Sequence, residues 1–298
     1  MAEDVRFPAR DSRQLAGTLF PAEKPVGIVV VASAMGVPRR LYRAFSEHLA
    51  ESGLTTLTFD YRGIGDSREG SLRGFDARLH QWGELDLAGA LDWLRAKHPE
   101  LPLQLVTHSV GGQIFGLIED AKVEGAIFIA SQSGSWRLWR GLPRLGMFAV
   151  WHFLLPGLAR TLGYIPMKAL GQGEDLPGGV GAQWAEWGRE DDYVWSYARP
   201  RGGLGFTRWS GPLRAYAIAD DGYAPRPGVE ALVAMYTKAR SELRVVRPAE
   251  VGAKSIGHFG VFKPQFRDNI WSEIRDTLLG RVTPGAHAAQ ETLWNSNL

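Results

Sequence analysis

Cysteine is absent from all 298 residues. The chain can therefore form no disulfide, offers no thiolate nucleophile and holds no metal through cysteine sulfur. Cysteine hydrolases and zinc-finger modules are excluded at once. A dominant charge is lacking too: 34 Lys and Arg stand against 32 Asp and Glu, a net charge of +2. The densest early basic group, Arg39, Arg40 and Arg43, reads as a solvated helix face, and nothing resembles the clustered basic stripe of a nucleic-acid binder. No repeat or low-complexity segment occurs. Long apolar runs are missing as well. Residues 1–9 carry two acids and no apolar centre, unlike a secretory signal. The most apolar stretch, residues 146–159, falls short of the roughly 20 residues a membrane span needs and is interrupted by His152 and Pro156. The expectation is a chain without a transmembrane segment, cytoplasmic for want of any address.

What is present suits a folded domain. Hydrophobic residues make up 45% and charged residues 22%, an ordinary balance for a globular protein with its own core. Strand-like and helix-like segments alternate early. Residues 14–20 read as a strand, and 27–32 form a β-branched run typical of a strand buried on both faces of a parallel sheet. Residues 40–52 have Leu41, Phe45, His48 and Leu49 at helical spacing, closed by Gly53. A strand at 54–59, a Gly-punctuated loop at 60–67, a helix at 80–97 and strands at 103–107 and 123–130 follow. This alternation predicts an α/β fold with a mostly parallel, doubly wound sheet. Ligands then sit beyond the carboxyl ends of the strands.

The alternation stops between residues 131 and 212, a stretch holding Trp136, Trp139, Trp151, Trp184, Trp187, Trp195 and Trp209. It resumes with a strand at 213–219, a helix near 228–240, a strand at 242–247 and a final helix from Pro264 with Phe266, Ile270, Ile274 and Leu278 on one face. The domain expectation is a core formed by 1–130 and 213–280, an inserted helical cap at 131–212 and a C-terminal tail at 281–298.

Chemistry concentrates just after the strands. Thr107-His108-Ser109-Val110-Gly111-Gly112 follows a buried strand and opens a helix at 113–119. A serine on so sharp a turn is held exposed above the sheet, and small neighbours let strand and helix approach. Gly111 meets that demand and Thr107 does not. The plain alternative is a serine N-cap. A nucleophilic serine needs a base, and the base an orienting acid, in the chain order Ser, acid, His. Only His258 and His287 lie beyond residue 200. His287 falls in the aperiodic tail, whereas His258 sits in the Gly-flanked loop Ile256-Gly257-His258-Phe259-Gly260. Asp221 is the preferred acid, because the turn from Asp221 to Pro225 can aim its carboxylate at the histidine loop; Asp220 competes with it. Backbone amides of Val110 and Met35, with Ala34 as second choice, are the expected oxyanion donors. His108 is read as structural and facing away, and Asp60 as fixing loop geometry.

The segments Phe59-Asp60-Tyr61-Arg62-Gly63-Ile64-Gly65-Asp66-Ser67, His108-Ser109-Val110-Gly111-Gly112, Asp221 and Gly257-His258-Phe259 together resemble the α/β-hydrolase superfamily. They are most similar to its serine aminopeptidase and monoglyceride-lipase-like branch, over roughly residues 10 to 280. The resemblance implies the same triad, Ser109, Asp221 and His258, and a fold with an inserted helical cap. Thr107 stands where Gly is common, and Ser33-Ala34 where many relatives have His-Gly.

The expected function is hydrolysis of a carboxylic ester or thioester with an apolar acyl part, through an acyl-serine intermediate. The partner is a small acyl substrate, with no metal or organic cofactor. Transfer of the acyl group to another acceptor is the first alternative, and a non-catalytic binding scaffold the second. Most of the tryptophans are expected to pack the cap, with one or two reaching the pocket. Arg137, Arg140 and Arg144 are expected on a solvated helix face.

Overall fold

A computed structural model describes residues 1–281; His287 and the tail from residue 282 lie outside the described residues. Eight strands form one sheet: β1 (Glu3–Pro8), β2 (Gln14–Phe20), β3 (Gly27–Ala32), β4 (Leu54–Phe59), β5 (Leu103–His108), β6 (Gly125–Ile129), β7 (Pro212–Ile218) and β8 (Arg240–Val246). Their spatial order is β1-β2-β4-β3-β5-β6-β7-β8. β1 pairs antiparallel with β2, and β2 with β4; every later pairing is parallel. β3 and β4 are buried at every position, as strands covered by helices on both faces must be.

β1 is not apparent from the sequence. Its outward positions carry Glu3, Asp4 and Arg6 while Phe7 turns inward, a charged edge strand with little hydrophobic signal. The predicted helices are present: α1 (Arg43–Glu51) follows a 3₁₀ turn at Arg39–Tyr42, α2 (Ala88–Lys97) continues helical turns that begin at Leu79, and α7 (Ser272–Leu278) continues turns that begin at Pro264, whereas α3 (Val110–Phe115) and α6 (Arg226–Val233) end earlier than expected. Because β3 to β8 run parallel, Ser33-Ala34-Met35, Ser109 and Asp220-Asp221 all emerge at one edge of the sheet.

Between β6 and β7 the chain forms a helical insertion built on α4 (Gly141–Leu162) and α5 (Gly178–Arg189), with a two-stranded ribbon of Tyr164–Ile165 and Leu176–Pro177. Here the sequence reading needs correction. Pro156 and His152 do not interrupt the apolar stretch: α4 is one helix of 22 residues, the one helix among the described residues that is long and apolar enough to cross a membrane by length and composition. Proline lacks an N–H and crowds the preceding turn. The helix absorbs this by widening into a π turn over Val150–Leu154, just before Pro156. Trp151 and Leu155 of α4 are buried in the core that α5 joins through Ala185 and Trp187. Its other side is bare: Leu142, Leu145 and Phe153 are 81%, 65% and 67% exposed.

Candidate active site

Ser109 sits between β5 and α3 with φ 52° and ψ −111°. A non-glycine residue there is strained, and such strain persists only where surroundings enforce it. Its N–H is tied to the Ile129 carbonyl at 3.0 Å. The two following glycines make the turn possible. A Cβ at Gly111 would meet the Ala32 carbonyl at 2.9 Å, and one at Gly112 would meet the Ser131 side chain at 2.6 Å. Thr107 is accommodated because Gly111 leaves room beside its Cβ, and its hydroxyl bonds Ser131 Oγ at 3.1 Å.

His258 and Asp221 are brought together. His258 Nδ1 lies 2.7 Å from Asp221 Oδ2, and both residues are buried. Asp221 Oδ1 accepts the amides of Tyr223 at 2.8 Å and Ala224 at 3.0 Å. A carboxylate so engaged accepts the Nδ1 hydrogen, which leaves Nε2 as the basic nitrogen. Asp220 points elsewhere: its two oxygens accept the amides of Ile256 at 2.8 Å and Gly257 at 3.1 Å, holding the loop that leads into His258.

Ser109, His258, Met35 and Ala34 line one cavity of about 340 Å³. Among the described residues no hydrogen bond joins Ser109 to His258, a contact that commonly tightens only with substrate in place. The Ala34 amide is engaged with Tyr42 Oη at 2.9 Å. The Met35 N–H has no hydrogen-bond partner among the described residues, so of the two expected donors on this loop Met35 is the one left free. Most of the remaining lining is apolar, including Trp139, Met147, Trp151, Leu155, Met167 and Trp184, with Gln132 and Gln172 among its polar side chains. Three tryptophans reach the cavity, one more than the sequence suggests, and Gln132, Tyr223 and Phe259 line it without a signal in the sequence.

Two supporting residues complete the site. Asp60 accepts the amides of Arg39 at 2.7 Å and Asp66 at 3.1 Å and pairs with the Arg39 guanidinium. It thereby fixes the loop after β4, as its position suggests. His108 departs from expectation: it does not face away from the chemistry but touches the His258 loop, its ring centroid 4.9 Å from that of His258. Burial, with the neighbouring His258 second, pushes its pKa well below the usual imidazole range. Sequence spacing could not reveal this, since β5 and the loop after β8 meet only in the folded sheet.

A strained serine after a central parallel strand, with acid and histidine on later loops of the same edge, defines the α/β-hydrolase fold. Residues 23–164 match the sequence model of the serine aminopeptidase family, S33. A putative monoglyceride lipase of Schizosaccharomyces pombe is 39% identical over 92 residues, which is 30% of this chain and 24% of that protein. Among solved structures, a soluble variant of monoglyceride lipase from Saccharomyces cerevisiae superposes with a TM-score of 0.65 at 16% identity, covering 95% of this chain and 96% of that one. An esterase of Pyrococcus furiosus gives 0.63 at 16% identity, over 94% and 91%. A carboxyl esterase of Bacillus coagulans gives 0.60 at 16% identity, over 94% and 98%. The chain thus has the α/β-hydrolase fold, and residues 23–164 are similar in sequence to the serine aminopeptidase family, with a shorter stretch similar to a monoglyceride lipase.

Proposed function

We propose that this protein is a serine hydrolase that cleaves carboxylic esters or thioesters with an apolar acyl group through an acyl-Ser109 intermediate. The observation that carries the reading is the buried 2.7 Å pair of His258 Nδ1 and Asp221, beside a cavity that both His258 and the strained Ser109 line. His258 Nε2 takes the Ser109 hydroxyl proton as Oγ attacks the acyl carbon. The Met35 and Val110 amides hold the oxyanion. Collapse breaks the bond to the leaving oxygen or sulfur, which receives the proton from His258. Water then attacks the acyl-serine, with His258 taking its proton and returning it to Ser109.

The apolar cavity supports an apolar acyl group, and its mouth supports a lipid-like one. Leu154 of α4, Tyr223 and Phe259 line it and keep apolar surface exposed. No acidic residue occurs from 125 to 173, while Arg137, Arg140, Arg144, Arg160 and Lys168 do. Arg137 and Arg144 stack over Trp136 at 4.6 and 4.8 Å. We read residues 131–212 as a cap that roofs the acyl site.

A series of p-nitrophenyl esters of rising chain length tests this reading. Each buried methylene is worth about 0.8 kcal/mol, so kcat/KM is expected to rise about fourfold per added CH₂ until the cavity is filled, then fall. A flat or reversed dependence from the shortest ester onward contradicts an apolar acyl site.

A further inference from the structure

The active-site loops are joined underneath by a buried polar chain that the reaction above does not use. Tyr42, on the turn before α1, and His108, at the end of β5, are both fully buried. The Ala34 amide lies 2.9 Å from Tyr42 Oη, Tyr42 Oη lies 2.9 Å from His108 Nδ1, and His108 Nε2 lies 3.0 Å from the His258 carbonyl.

The chemistry of these atoms fixes every hydrogen. A carbonyl oxygen only accepts, so His108 Nε2 carries the hydrogen of that contact. Burial keeps the ring neutral, so Nδ1 is an acceptor and Tyr42 donates to it. With its one hydrogen spent there, Tyr42 Oη accepts from the Ala34 amide. The donors therefore run in one direction: Ala34 N–H to Tyr42 Oη, Tyr42 O–H to His108 Nδ1, and His108 Nε2–H to the His258 carbonyl. One end is the loop that offers the Met35 amide; the other is the backbone of the base.

We infer that His108, as the neutral Nε2–H tautomer, is a positioning residue that sets the separation of the oxyanion loop and the base loop on either side of Ser109. The inference rests on the roles proposed above for Met35, Ser109 and His258. It explains two features. Engaging the Ala34 amide leaves Met35 as the available donor. Holding the His258 carbonyl from below, while Asp221 holds its ring, pins the base at both ends. A residue of similar shape without these nitrogens, such as phenylalanine, leaves the Tyr42 hydroxyl hydrogen and the His258 carbonyl without the partners His108 gives them.

The test compares full-length wild type with Tyr42→Phe, His108→Phe and His108→Gln, measuring kcat and KM on one short ester well below each melting temperature. Tyr42→Phe and His108→Phe are expected to lower kcat about 10- to 100-fold with KM nearly unchanged, less than loss of an oxyanion donor itself. His108→Gln, which retains an N–H toward the His258 carbonyl, is expected to recover part of the loss. Unchanged kcat in folded Tyr42→Phe, with only a lower melting temperature, overturns the inference and leaves His108 purely structural. Should His108→Phe not fold, Tyr42→Phe still decides, because its ring keeps the edge contact with Phe262. Independently of activity, ¹⁵N spectra of histidine-labelled protein are expected to show His108 as the neutral Nε2–H form throughout the range in which a free imidazole titrates. An Nδ1–H tautomer, or a ring that titrates in that range, also overturns it. An inactive wild type with that spectrum sinks the proposed hydrolase and not the hydrogen-bond order.

Discussion

Asp220 and Asp221 carry the same group on adjacent residues, yet the turn after β7 gives them different work. Asp221 faces the imidazole and two amides of its own turn, whereas Asp220 braces the amides of Ile256 and Gly257. The two substitutions should therefore separate. Asp221→Asn offers His258 an amide in place of a carboxylate and favours the wrong tautomer, so kcat is expected to fall about 10³- to 10⁴-fold, as in the chymotrypsin-type triad. Asp220→Ala frees a partly exposed loop and should cost about tenfold in kcat with about 1 kcal/mol of stability. Steady-state rates and melting curves of the two variants check the assignment; the reverse order would exchange the roles. The sequence narrows the acid to these two positions because both follow a strand, and its turn favours Asp221 over the competing Asp220; the aim itself depends on side-chain torsions within one turn. His108 was misjudged for a related reason. Strand alternation says which face a residue takes, but not that a loop 150 residues later folds back onto it.

At the scale of elements, the turn joining β5 to α3 is tightly determined by its neighbours. Two glycines there are demanded by contact rather than by backbone angles. Gly112→Ala places a methyl 2.6 Å from the Ser131 side chain, and relieving it must move β5, α3 or the residues after β6. Overpacking of this kind costs about 1–3 kcal/mol, and the moved serine should lose activity beyond the loss of stability. Denaturant midpoints and residual esterase rates measure both; an alanine variant with wild-type stability and rate would show the turn to be looser than its contacts. This element was legible because strand, serine and glycines are consecutive. β1 was not, since charged residues on an edge strand break the hydrophobic alternation that reveals strands. The continuity of α4 is hidden because a proline within an apolar run ends a helix in most settings, and the π turn that accommodates Pro156 leaves no mark in the sequence.

For the molecule as a whole, parallel pairing from β3 to β8 is what brings distant residues to one edge. The β-branched run of β3 and the strand–helix alternation made that sheet readable, and with it the edge where Ser109, Asp221 and His258 emerge. The insertion is readable as a helical cap at 131–212, but not in its internal arrangement. Its tryptophans divide between packing and cavity according to contacts between α4, α5 and the sheet, and no periodicity encodes which does which. The central claim is that Ser109 is an activated nucleophile. Treating the intact protein with a fluorophosphonate and locating the adduct by peptide mass spectrometry tests it most directly. Stoichiometric modification of Ser109, abolished in Ser109→Ala and strongly slowed in His258→Ala, is the expected result. A folded wild type that stays unmodified, or carries the adduct on another residue, would contradict the account.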